Sequence, residues 1–166
     1  MPKNIARTCI IVADGARARF FELRPSVEPR HRCHLAQVAS LENRDFRARG
    51  AEHQGHTRIE HMTNREAGAV HPFDARRQRH RLEIERRFAA EIAQRAAEVT
   101  AAWSAGVIVL IADPRLLGLA RDTMRSALKP EIRMKELAKD YSTLTVPELE
   151  RHLIVNKLLQ LDPFPC

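Results

Sequence analysis

A chain of 166 residues, 44% hydrophobic and 30% charged, has the size and composition of one globular domain that buries its own core. No apolar run approaches the roughly 18–20 residues that cross a bilayer, and the short run after Lys3 and Arg7 is no signal-peptide core, so a cytoplasmic protein without a membrane partner is expected. The net charge of +7 is concentrated early: residues 1–80 carry 15 Lys and Arg against 9 Asp and Glu, whereas residues 81–166 carry 13 against 12.

The first element is the β-branched run at residues 7–13, followed by Asp14-Gly15 and a second run at 17–23. Two such runs around an Asp-Gly pair predict a hairpin, because both turn residues tolerate positive φ. A third strand is expected over 33–41, completing an antiparallel meander. Residues 42–75 show no sustained period, hold Gly50, Gly55, Gly68 and Pro72, and are expected to form a long loop. From Ala75 to Trp103 the pattern turns helical, with Ile84, Phe88, Ile92, Val99 and Trp103 on one stripe.

Gly106 introduces Val107–Ala112, a continuous apolar strand suited to a sheet centre. Asp113-Pro114 supplies an N-cap and a first-turn proline for a helix running to about Leu128, in which Gly118 is expected to permit close helix–sheet packing. A last strand is expected over 131–137. Thr145-Val146-Pro147-Glu148 is a capping box for a helix ending near Gln160. The order βββ-α-β-α-β-α predicts one α/β domain over 1–166, its mixed sheet combining the antiparallel three-strand meander with parallel strands and flanked by helices. Cys9, Cys33 and Cys166 are odd in number and scattered, which argues against a disulfide framework.

Four segments, "IIVADGARARFFEL", "HPFDARRQRHRLEIERRFAAEIA", "VIVLIADPRLLGLAR" and "LAKDYSTLTVPELERHL", occur in an order that resembles the bacterial host-attachment protein family, from about Cys9 to Leu153. That family is similar in fold to the middle domain of archaeal and eukaryotic peptide-chain release factors, a ribonuclease-H-like mixed sheet flanked by helices. In release factors the loop before the first long helix carries a Gly-Gly-Gln motif that enters the peptidyl-transferase centre. The corresponding loop here holds His53-Gln54-Gly55-His56 and no Gly-Gly-Gln. The resemblance therefore implies a ribosome- or tRNA-associated factor and withholds its support from peptidyl-tRNA hydrolysis. The family's name implies an alternative, attachment to host cells through a protein partner.

Only five of the 28 basic residues are lysines, and the arginines crowd into the segment 42–81. Arg47, Arg49, Arg58, Arg76, Arg77, Arg79 and Arg81 are the candidate contacts to ribosomal RNA or tRNA, since a guanidinium forks onto phosphate and stacks on bases. A solvated surface is the plainer reading of the same charges. His53, His56 and His61 form a candidate metal set, with His31, Cys33 and His34 as another, against the plainer reading of surface histidines. Asp14 and Asp113, each following a strand, are candidate magnesium ligands for phosphodiester cleavage, and Gln54 is a candidate in ester hydrolysis. Each aspartate also has a structural use, one in the hairpin turn and one as an N-cap. No cofactor motif is present, and the sheet edges leave homo-oligomerisation open.

Overall fold

The computed structural model describes residues 7–26, 33–48 and 72–158; the candidates Arg49, His53, Gln54, His56, Arg58 and His61 fall outside these ranges. The strands are β1 (Arg7–Ala13), β2 (Arg17–Pro25), β3 (Cys33–Glu42), β4 (Gly106–Ala112) and β5 (Ile132–Ala138). The helices are α1 (Pro72–Val99), α2 (Pro114–Ala127) and α3 (Val146–Val155). They form one α/β mixed sheet in the order β3-β2-β1-β4-β5, with β2 antiparallel to both neighbours and β1, β4 and β5 parallel. This is the expected meander joined to parallel strands.

Alternation along β1 sorts its side chains onto two faces. Cys9, Ile11 and Ala13 meet α1 and α2 through Phe88, Ile92, Leu117 and Met124, while Ile10 and Val12 meet α3 through Leu149 and Leu153. β1 and β4 thus lie at the centre of a three-layer stack. Burying a large apolar side chain fully is worth about 1.5–3 kcal/mol, so these two strands anchor the fold. Burial also pushes the Cys9 thiol up to about 12, leaving it a packing group rather than a nucleophile.

Several local expectations are corrected. The hairpin turn uses no positive-φ glycine; the Asp14 carboxylate closes it by accepting the N–H groups of Ala16 and Arg17 at 2.7 and 2.8 Å. Gly15 is small for another reason: a Cβ there would stand 3.0 Å from the ring of Phe46. Phe46 belongs to residues 44–48, which are helical where a loop was expected, and α1 begins at Pro72, three residues earlier than the apolar stripe indicates. Trp103 is buried but lies beyond the end of α1. Gly118 faces open space, not the sheet. α3 ends at Val155. Cys33 is disulfide-bonded, although the number and scatter of the cysteines argue against a disulfide framework, and the bond removes its thiolate from any metal set.

Candidate nucleic-acid interface

Helix lengths decide where the charged residues stand. The 28 residues of α1 span about 42 Å at 1.5 Å each, whereas the seven residues of β4 span about 23 Å. A short connection joins the end of α1 to the start of β4, so the excess length emerges at the other end, past the carboxyl edge of the parallel strands. Burial agrees. Residues 72–83 are exposed apart from the half-buried Ala75 and Leu82, and Ile84 is the first fully packed position.

Arg76, Arg77, Arg79, His80 and Arg81 all ride on this overhang and are exposed, beside Phe73 at 77% exposure. Arg76 and Arg77 have no ion-pair partner among the described residues, and Arg79 spends its Nε on the carbonyl of Ala75 in its own helix. Cations in the first turns of a helix oppose its dipole, whose positive end is the N-terminus. Asp74 is the one acid of the first turn. Apart from Arg81, which pairs with Glu85 one turn on, the cluster adds no ion pair to the helix among the described residues, and it concentrates positive charge.

The start of α2 stands beside the base of the overhang, because both helices run antiparallel to β4 and turn their N-termini to the same edge. Asp113 caps α2, its Oδ1 accepting from the N–H groups of Arg115 and Leu116 at 3.0 and 3.1 Å. Two positions on, Arg115 reaches across to α1 and pairs with Glu85, Nε to Oε2 at 2.6 Å, without the alignment of a hydrogen bond. Arg81 Nε donates to the other oxygen of Glu85 at 3.1 Å. A cleft of about 640 Å³ between the helices is lined by Ala75, Gln78, Arg79, Arg81, Leu82 and Arg115. Arg115 and Glu85 have no signature in a single stretch of sequence; they become visible only when the two helix starts are placed at one edge.

The remaining candidates are distributed differently. Arg47 pairs with Glu42 at 3.2 Å, and Arg87 with Asp45 at 3.5 Å. Another depression, about 320 Å³ and lined by Glu42, Asn43, Arg44, Asp45, Arg87 and Glu91, sets three acids against two arginines and lacks an excess of positive charge. Asp14 and Asp113 each hold a turn or a cap through Oδ1. Among the described residues no three His, Cys, Asp or Glu side chains are grouped to hold a metal ion. No helix among them is long and apolar enough to cross a membrane.

Arg17 and Arg19, from the same hairpin, are engaged in structure. Arg17 donates to the carbonyl of Ser142 at 2.8 Å, and Arg19 donates to the carbonyls of Leu144 and Ser142 at 2.9 and 3.1 Å. Burial, followed by the neighbouring Arg17 cation, lowers the pKa of the Arg19 guanidinium. Its flat face covers the ring of Phe21, 5.4 Å from the centroid. The two arginines tie the β1–β2 hairpin to the connector that leads into α3.

The family described as "Protein required for attachment to host cells" matches this chain over residues 9–153. No curated protein matches it. Among solved structures, the Ppx/GppA phosphatase of Aquifex aeolicus is similar over 80% of this chain and 36% of its own, at 8% identity and a TM-score of 0.33. This chain therefore spans about a third of that enzyme's length.

Proposed function

This chain belongs to the family of proteins required for attachment to host cells, and we propose that it acts as a non-catalytic RNA-binding module, its overhanging α1 gripping the phosphate backbone of ribosomal RNA or tRNA. The observation that carries this is the placement of Arg76, Arg77, Arg79 and Arg81 on 12 residues of helix that stand clear of the core. Arginine forks suit phosphate oxygens, and the helix N-terminus adds its own positive end. The choice of RNA rests further on the fold similarity to a release-factor middle domain that the family resemblance implies, in which the corresponding helix follows the loop that enters the ribosome. Arg49 and Arg58, in the preceding segment of the sequence, are further proposed contacts in this reading. Asp14 and Asp113 act as structural caps, and the reading requires no reacting bond.

Co-sedimentation with ribosomal particles and binding of labelled tRNA, each across a salt series, test the proposal. Four phosphate contacts give a log–log salt slope of about −3 to −4. Replacing Arg76, Arg77 and Arg79 together by Gln is expected to weaken binding at least tenfold and to flatten the slope by about 2 to 3. Wild-type protein that binds neither particle nor tRNA at low salt sinks the proposal. Association with a partner that survives high salt and nuclease treatment would instead support action through a protein partner, an alternative in keeping with the attachment role that the family description states.

A further inference from the structure

We infer that Arg81 and Arg115, held across the α1–α2 cleft by the buried Glu85 carboxylate, form a two-arginine clamp for a phosphate group. The inference rests on the RNA-binding reading for its biological ligand, while the clamp itself follows from the geometry. Glu85 is only 7% exposed, yet it sits at the mouth of α2 with an arginine on each oxygen. A carboxylate is seldom buried for stability alone, because its desolvation offsets most of what its partners return. What it does here is orient. Both contacts are made through Nε, so the terminal Nη groups of Arg81 and Arg115 are left without a partner among the described residues.

Those Nη groups belong to residues lining the 640 Å³ cleft, together with Gln78 and Arg79. Three arginines against one carboxylate leave an excess of positive charge, matching a phosphodiester or a free phosphate. The first N–H groups of α2 are already taken by Asp113, so the grip must come from side chains. Arg81 is fixed more firmly than Arg115, whose close ion pair lacks hydrogen-bond alignment. Arg115 is therefore the jaw that turns onto the ligand. A lysine at either position keeps the charge but loses the division of labour between an Nε that is anchored and Nη groups that grip.

The decisive variant is Glu85→Gln, because two explanations predict opposite signs. If the edge works by net charge alone, removing a negative charge strengthens binding of a polyanion. If Glu85 positions the clamp, the same change weakens it. We expect Glu85→Gln and Arg115→Lys each to weaken binding of labelled tRNA about fivefold, with unchanged far-UV circular dichroism. Inorganic phosphate titrated into wild type is expected to shift the Nε–Hε resonances of Arg81 and Arg115, and to leave Arg115 unmoved in Glu85→Gln. Where wild type binds tRNA, tighter or unchanged binding by Glu85→Gln overturns the clamp, as does full affinity in Arg115→Lys, which alters a half-exposed side chain and keeps the test open if the buried variant fails to fold.

The arms also separate this inference from the reading beneath it. RNA binding that falls in the Arg76/Arg77/Arg79 variant but not in Arg115→Lys keeps the interface and removes the clamp. Phosphate shifts in a protein that ignores tRNA keep the clamp, with free phosphate as its ligand, and remove RNA. Weakened tRNA binding in both clamp variants without a response to inorganic phosphate supports the clamp and assigns its phosphate to the polymer backbone.

Discussion

The two halves of α1 are one continuous helix with opposite relations to the rest of the molecule. From Ile84 onward one face is buried: Phe88, Ala89, Ile92, Ala93 and Ala96 join the core formed with the sheet and α2, and the helix exists because those contacts exist. Residues 72–83 make almost no apolar contact, carry arginines on several faces, and extend past the strands. Most helical stability in proteins comes from a packed face, so the inner half nucleates and the outer half is propagated from it. The overhang is then a surface free to be optimised for a partner, since little of the fold depends on its side chains. Arginines that would be tolerated poorly in a helix start elsewhere are tolerated here at little cost to the whole.

The comparison breaks most directly on its two phenylalanines. Phe88 is 1% exposed and touches the sheet, and Phe88→Ala is expected to cost about 3–5 kcal/mol in denaturant unfolding. Phe73 is on the overhang, and Phe73→Ala should change stability by less than about 0.5 kcal/mol. If Phe73→Ala destabilised the domain comparably, the outer half would have a packing role and the free-arm picture would fail.

Two glycines sharpen the same contrast between packed and open positions. A Cβ at Gly106 would lie 2.6 Å from the ring of Trp103 and 2.7 Å from the carbonyl of Arg7, with backbone on one side and a buried indole on the other. Gly106→Ala is expected to destabilise by about 1–3 kcal/mol. Gly118, inside α2 with nothing within 4 Å of a Cβ, carries only the entropic penalty of glycine in a helix. Gly118→Ala should stabilise by about 0.5–1 kcal/mol, read as a rise in the midpoint of thermal unfolding. A destabilising Gly118→Ala would mean that α2 meets something at that position.

These glycines also show which parts of the structure were legible in the sequence. Asp113-Pro114 and Thr145–Glu148 were read correctly because a cap is made among neighbours in the chain. The antiparallel meander followed from the runs around Asp14-Gly15, and the parallel strands from the helical segments between the later runs. Gly15, Gly106 and Gly118 look alike in a sequence, and what separates them is whether Phe46, Trp103 or open solvent stands beyond the missing side chain. Periodicity failed on residues 72–74 for a related reason: the period measures burial on one face, and the overhang has no buried face. In the site itself, the arginines 76–81 were visible as a cluster. Arg115 and Glu85 were not, because they are 30 positions apart and meet only after α1 and α2 align.

The smallest expected effect concerns pH and falls on the α3 side of the carboxyl edge, away from the overhang. There the acids hold the backbone instead of pairing with a partner's charge. Glu148 accepts the N–H and hydroxyl of Thr145 at 2.8 and 2.7 Å, and those bonds hold its carboxyl below the usual range. Asp140 accepts the hydroxyl and N–H of Ser142 at 2.7 and 3.0 Å and is lowered for the same reason. A carboxyl lowered in the folded state contributes stability that is fully present above its unfolded value, near pH 4, and is lost as pH falls through the lower folded value. Thermal unfolding followed from pH 6 to pH 2 should therefore show its decline below about pH 4, and Glu148→Gln should remove part of that decline. The Arg76/Arg77/Arg79 variant should trace the wild-type dependence on pH while weakening the proposed RNA binding, which separates the half of the edge that holds the fold from the half that is free to bind. A pH profile altered by those three arginines would mean that the overhang is wired to the folded core after all.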